Sequence, residues 1–353
     1  VGITHYGEVV SSSVYAVPNA TWPNYEVAGE SQYEAPIRAL LGRLAKDQDK
    51  ELQTEALLVP EPDNPYDPQA ISVRIQGAVV GYLTREDARA FAPILHRLAA
   101  SGVTAVVPAR VWGVLRDNWE GTGTRFHSNV RVALPEPHLI VPLNDGPPEP
   151  YSILPWGSGL QITGEEKHFD VLAPFAGRAD RSLLLVTLHR GSEEKARGGQ
   201  RDFIEVRVNG QRIGEMSTQS SRHYFALVDH HAAKDLTVAA WAHLKGSALA
   251  AEVVLQASKA SEVDNSYLSG DAQIMPRLVS PAASYEVPPA YTGRPRSTSP
   301  QRARATARTG SGTTPETGTK QAAAAAKSGC AVVAVGLLGI GGGFVSAIHQ
   351  LLS

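Results

Sequence analysis

The sequence predicts a mainly β protein with some α: two small β domains with about two helices each, then a disordered tail and a hydrophobic C-terminal helix. Three observations predict it. Short alternations of apolar and polar residues, bounded by Gly, Pro and Asp, run through residues 27–134. A run with similar spacing returns at 158–258. From 259 onward the chain loses that pattern, until an uncharged stretch at 330–348.

The 353 residues leave room for two small domains plus tails. A net charge of -2 gives no global attraction to polyanions, which excludes a histone-like protein and moves the question of charge to single segments. The one cysteine, Cys330, excludes an internal disulfide framework and a Cys-based zinc finger, and it suits a reducing compartment. The first thirty residues show no basic start ahead of an apolar run, so no secretory signal is read there.

Residues 1–26 mix Ser, Pro, Asn and Tyr without a period and are read as a flexible arm. In the first domain, 27–134, Val27-Ala28-Gly29-Glu30 ends a short strand. Tyr33, Ile37, Leu40, Leu41 and Leu44 then have helical spacing, with Ser31 and Glu34 at capping-box separation. Residues 55–60 read as a strand. The run Asp63-Asn64-Pro65-Tyr66-Asp67-Pro68 cannot continue it and must turn. Ile71, Val73 and Ile75 alternate with Ser72 and Arg74, Gly77 turns the chain, and 79–83 returns as a hairpin partner. Thr84 and Asp87 cap a second helix with Ala88, Phe91, Ile94, Leu95 and Leu98 on one face. Residues 103–115 and 128–134 supply two further strands, with Trp112 read as a core residue.

Residues 135–157 are proline-rich and are read as a stiff linker. In 158–258, Ile162-Thr163-Gly164-Glu165 echoes Val27-Ala28-Gly29-Glu30. Ile204, Val206, Arg207, Val208, Gly210, Ile213 and Gly214 keep the order of Ile71, Val73, Arg74, Ile75, Gly77, Val80 and Gly81. Duplication explains this, and a chance match of alternating apolar residues is the alternative. Residues 259–329 are read as a disordered basic linker. From 275 they carry Arg294, Arg296, Arg302, Arg304, Arg308, Lys320 and Lys327 in a Pro, Ser, Thr, Gly and Ala background too polar to build a core. Residues 330–348 hold no charge and are close to the minimum length of a membrane span, with Gly339 and Gly343 at GxxxG spacing. They read as a tail anchor with the folded part on the cytoplasmic side, or as a tail packed on another protein.

The run from Pro60 through Val73, with Asp63-Asn64-Pro65-Tyr66-Asp67-Pro68 at its centre, then Gly77 and Val80-Gly81-Tyr82-Leu83, resembles the signature of the HIRAN domain. The upstream Val27-Ala28-Gly29-Glu30 fits the same pattern. The resemblance implies a small OB-like six-stranded barrel with two helices over 27–134, and a degenerate barrel of the same type over 158–258. It implies a module that holds the 3′ end of single-stranded DNA, and it points to Tyr66 and Asp67 as the contacts. The turn supports this on its own terms. Prolines give it low entropy, an outward tyrosine offers a base-stacking face, and a carboxylate accepts from a terminal hydroxyl while repelling phosphate.

Each assignment has a structural alternative. Asn64 and Asp67 either meet ligand or cap the turn, and Tyr66 either stacks or packs on the barrel rim. Tyr82 either faces nucleic acid or is a half-buried barrel aromatic. Arg85 pairs a phosphate or is a solvated first-turn residue. Tyr33 stands near a family stacking position, although Ser31 and Gln32 depart from the Arg-aromatic pair of helicase-linked members. Acids and bases over 27–134 nearly balance, so phosphate neutralisation is small. Asp229-His230-His231 lacks the further aspartates of a phosphoesterase, and no metal, cofactor or catalytic motif is expected. The competing function is a membrane-tethered adaptor whose barrels bind a protein partner.

Overall fold

The computed structural model describes residues 13–293, apart from 119, 120, 122, 196, 197 and 248. It is mainly β. The first half is built from β1 (Ser13–Ala16), β2 (Pro23–Ala28), α1 (Glu34–Leu41), β3 (Lys50–Pro60), β4 (Ile71–Ile75), β5 (Ala78–Leu83), α2 (Arg85–Ala100), β6 (Val103–Asp117) and β7 (Thr124–Ala133). Strands pair in the order β6-β3-β4-β5-β2-β7, and β7 returns to β6, which closes a six-stranded barrel. The long β6 makes closure possible. Its early residues pair with β1, in parallel, and its later ones with β7, antiparallel.

Local chemistry sets the hairpins. Gln76 and Gly77 both take positive φ, 51° and 83°, as a two-residue primed turn requires. Ile71, Val73 and Ile75 then point inward and are wholly buried, each worth about 1.5–3 kcal/mol of apolar burial. Gly81 lies where β5 crosses β2 most closely. A Cβ there would come within 2.4 Å of Val27 Cγ1 and 2.6 Å of the Ala28 carbonyl oxygen. Thr84 caps α2 by accepting from the Asp87 amide, and Phe91, Leu95 and Leu98 bury the apolar face. Before α1, by contrast, Ser31 lies inside a 3-10 turn and no side chain caps the helix, so the capping box is not formed. Trp112 is half-buried rather than in the core, and its Nε1 donates to Asp49.

The second half contains β8 (Tyr151–Ile153), β9 (Gly159–Gln161), α3 (Phe169–Leu172), β10 (Ser182–Glu194), β11 (Gln200–Val208), β12 (Gln211–Glu215), α4 (Thr218–Ser221), α5 (Phe225–Ala232), β13 (Thr237–Gly246), β14 (Ala251–Gln256) and α6 (Asn265–Ser269). Its strands pair in the order β12-β11-β10-β13-β14-β9, with β8 parallel to the start of β13. A bridge between Thr163 and Glu215, with both amides donating at 2.9 Å, connects the two ends of that path.

Three segments expected to lack structure are ordered. Within the supposed arm, residues 13–16 form a strand and residues 23–26 begin the one that runs on to Ala28, and Tyr15 is buried with its hydroxyl donating to the Ile140 carbonyl. The 135–157 stretch is no exposed linker. Leu139 and Ile140 are buried in one apolar cluster with Leu183, Leu185, Ala239 and Trp241, so it fills the seam between the two sheets. Proline content misled there, because Pro restricts φ without excluding burial. The early part of the supposed disordered linker forms α6 and then an extended strap, 270–293. The Val279 amide donates to Ser101 Oγ, and Arg97 donates to the Val279 carbonyl. The rest of that linker and the 330–348 stretch lie outside the described residues. Among the described residues, no helix is long and apolar enough to cross a membrane.

Candidate functional site

The ten residues joining β3 to β4 form a double turn. The Glu61 amide donates to the Ala70 carbonyl, the Asn64 amide to Glu61 and the Ala70 amide to Asp67. Two side-chain turns lie inside it. Asn64 Oδ1 accepts from the Tyr66 amide at 3.0 Å, and Asp67 Oδ1 from the Gln69 amide at 2.9 Å. With Pro62, Pro65 and Pro68 limiting φ, the loop has few alternatives. Tyr66 emerges at its tip with 58% of its surface exposed.

Beneath the loop is a residue that the sequence reading missed. Glu61 is completely buried, and its carboxylate accepts from Asn64 Nδ2 at 2.9 Å, Arg74 Nη2 at 2.8 Å and the Tyr82 hydroxyl at 3.1 Å. The loop, β4 and β5 thus share one acid. The signal was present in principle. An acid between two prolines at a strand end, with Arg74 on the next strand, needs a partner if it is inside.

Tyr82 stands on β5 opposite Ser72 and Ala28. Burial, with neighbouring Tyr33 and Glu61, pushes its phenol well above the usual tyrosine range. Tyr33 follows the 3-10 turn that begins at the left-handed Gly29, and its ring centroid is 6.0 Å from that of Tyr82. Arg85, at the start of α2, points to the same mouth. Its Nε lies 3.7 Å from Asp67 Oδ2, and its side chain is 79% exposed.

All six residues singled out from sequence, Tyr33, Asn64, Tyr66, Asp67, Tyr82 and Arg85, line one cavity of about 310 Å³. Their surroundings divide them. Asn64 is buried, with its amide nitrogen on Glu61 and its oxygen on the loop backbone, so it frames the turn. Asp67 has one oxygen engaged by the Gln69 amide and the other near Arg85, so only the second faces the opening in part. Tyr33, Tyr66 and Tyr82 supply the aromatic wall. Tyr291, from the strap, also lines the cavity, and no sequence pattern had pointed to it.

Asp229-His230-His231 ends α5. Asp229 holds Arg190 through two bonds, and His231 Nδ1 bonds the Leu227 carbonyl. Among the described residues no group of three or more His, Cys, Asp or Glu is placed to hold a metal ion.

Neither a curated protein nor a solved structure matches the chain. Residues 31–128 match the family model of the HIRAN domain, and the chain therefore carries a HIRAN domain over the barrel that contains this cavity.

Proposed function

We propose that the first barrel is a non-catalytic nucleic-acid-binding module that takes the 3′ end of single-stranded DNA into the cavity between Tyr33, Tyr66 and Tyr82. The observation that carries this is the convergence of three tyrosines and the Asp67–Arg85 pair on one cleft of a matched HIRAN domain. A cleft of about 310 Å³ is at the small end of ligand pockets, suited to a terminal nucleotide rather than a duplex. Tyr66 stacks the end base, worth about 1–3 kcal/mol. Arg85 leaves Asp67 for the phosphate that precedes the end. Asp67 Oδ2 then accepts from the terminal hydroxyl. Glu61 and Asn64 touch no ligand and hold the tip in position. With Arg85 as the lining cation, affinity comes from the end itself and depends little on salt.

A direct test compares linear and circular single strands of equal length by fluorescence anisotropy. The linear strand binds, the circular competitor fails to displace it, and Tyr66→Ala abolishes binding. Equal competition by the circle would refute end recognition.

The second sheet supports a reading as a degenerate copy of the same barrel. Asn209 and Gly210 repeat the primed turn, with φ of 48° and 76°. The Val206/Arg207 bulge repeats that at Val73/Arg74, and Gly214 meets Thr163 as Gly81 meets Ala28. Glu165 accepts from the Val253 amide as Glu30 accepts from the Val130 amide. Glu215 follows Gly214 as Tyr82 follows Gly81, and it is tied to Arg201 and Arg212. Ion pairs thus stand where the first barrel has its aromatic wall, so the copy serves as scaffold or as a protein-facing surface.

A second reading, a barrel that binds a protein segment, is favoured by one observation: the chain's own Tyr291 lines the cavity, with its amide and that of Ala290 held by Asp63.

A further inference from the structure

The strap follows α6, runs beside β8 and reaches the candidate site. The Gln273 carbonyl accepts from the Ile153 amide, the Met275 amide donates to the Tyr151 hydroxyl, and Met275 and Leu278 pack on the apolar core. After Val279 passes Arg97 and Ser101 at the end of α2, the chain reaches Pro288-Pro289-Ala290-Tyr291. There the contact changes character. The Ala290 and Tyr291 amides both donate to Asp63 Oδ1, at 2.8 and 3.0 Å, and Arg74 donates to the Ala290 carbonyl. The backbone is held by two charged groups, Asp63 of the loop itself and Arg74 of β4, and Tyr291 is set among the residues that line the cavity. Partial desolvation raises the Asp63 carboxyl, but the two strap amides, its own amide and the Arg74 charge together outweigh it and hold the group below the usual carboxylate range.

We infer that residues 288–291 are an internal pseudo-ligand of the HIRAN cavity, whose Tyr291 side chain stands where an incoming terminal base would stack. The inference rests on the proposed function for the identity of the competitor. The clasp on Asp63 and Arg74 does not depend on it. The geometry makes the strap a releasable cover. Few bonds hold residues 280–291, most of their side chains face solvent, and the ordering entropy of an extended segment offsets much of what those bonds contribute. A strand end that takes the cavity therefore displaces a weakly held element rather than opening the barrel. Upstream, the strap stays tethered by its packing against the core, so release is local.

The test uses the full chain. Amide hydrogen exchange at Ala290 and Tyr291 is measured alone and with a saturating single-stranded oligonucleotide bearing a 3′ hydroxyl. Binding of the same oligonucleotide is then compared between wild type and Tyr291→Ala. Protection is expected at both amides, lost in Asp63→Ala and lost on adding the oligonucleotide. Tyr291→Ala is expected to bind about tenfold more tightly, the factor by which a site closed nine-tenths of the time is weakened. Unchanged affinity in Tyr291→Ala would overturn the inference. Weaker affinity would also overturn it, since Tyr291 would then belong to the binding wall. If no variant binds any oligonucleotide, the nucleic-acid reading fails. The pseudo-ligand then stands only if the two amides are protected and a peptide spanning residues 284–293 binds Tyr291→Ala in trans, and it falls if either result is absent.

Discussion

Removing the Glu61 carboxylate should collapse the site and cost much of the stability of the first barrel. The acid is fully buried, and the Arg74 side chain beside it is only 15% exposed. Glu61→Ala leaves that guanidinium without its carboxylate partner and takes the carboxylate acceptor away from the Asn64 amide and the Tyr82 hydroxyl. Breaking a buried pair by deleting one partner costs about 3–5 kcal/mol. The neutral donors lose bonds to a charged group, each worth about 1.5–3 kcal/mol when intact. These losses overlap because they share one carboxylate, so about 4 kcal/mol is expected in total. Glu61→Gln keeps the volume and an acceptor oxygen and should cost about 1–3 kcal/mol. The double replacement Glu61→Leu with Arg74→Met removes both charges and should recover most of the loss. Urea denaturation followed by calorimetry and circular dichroism reads all three. A Glu61→Ala protein within about 1 kcal/mol of wild type, or a double variant no better than the single, would refute the reasoning.

Two further outcomes follow from the barrel itself. Gly81→Ala and Gly214→Ala should each lower stability by about 1–3 kcal/mol, the cost of overpacking, because a Cβ at either site lands within 2.8 Å of backbone oxygen across the strand crossing. Chemical denaturation checks both, and a neutral Gly214→Ala would separate the two halves. Glu30 is held up to about 7 by burial and the Glu26 charge, with the Val130 amide offsetting part of this. The folded state therefore keeps the proton more tightly than the unfolded chain. Stability linked to this group is fully present below the ordinary value of 4.5, falls as pH rises from there to about 7, and is level above. Glu30→Gln, which retains an acceptor for the amide, should raise Tm at pH 8 and leave it unchanged at pH 4.5, and a lower Tm at pH 8 would contradict this.

The barrel was legible because its signals are local. Alternating Ile71, Val73 and Ile75, the turn at Gly77, and Thr84 three residues before Asp87 each act within a few residues. The cavity was legible for the same reason. Four of its six named residues belong to one run of Pro, Asn, Tyr and Asp or its hairpin return. What escaped depends on distant partners. Glu61 looked like one polar residue among prolines, and only its burial against Arg74 and Tyr82 gives it a role. The order of residues 139–141 comes from the sheets on either side. The strap has no periodicity, since its backbone bonds go to side chains such as Ser101 and Asp63, more than a hundred residues away.

The claim that the Tyr66–Asp67 corner receives a strand terminus is most directly tested by comparing short oligonucleotides ending in a 3′ hydroxyl or a 3′ phosphate, titrated into the full chain at low salt. A carboxylate at the end of the cleft accepts a hydroxyl and repels a phosphate, so the hydroxyl form should bind at least about tenfold more tightly, and Asp67→Asn should narrow that gap. Equal affinity for the two ends, or a preference for the phosphate, would contradict the account.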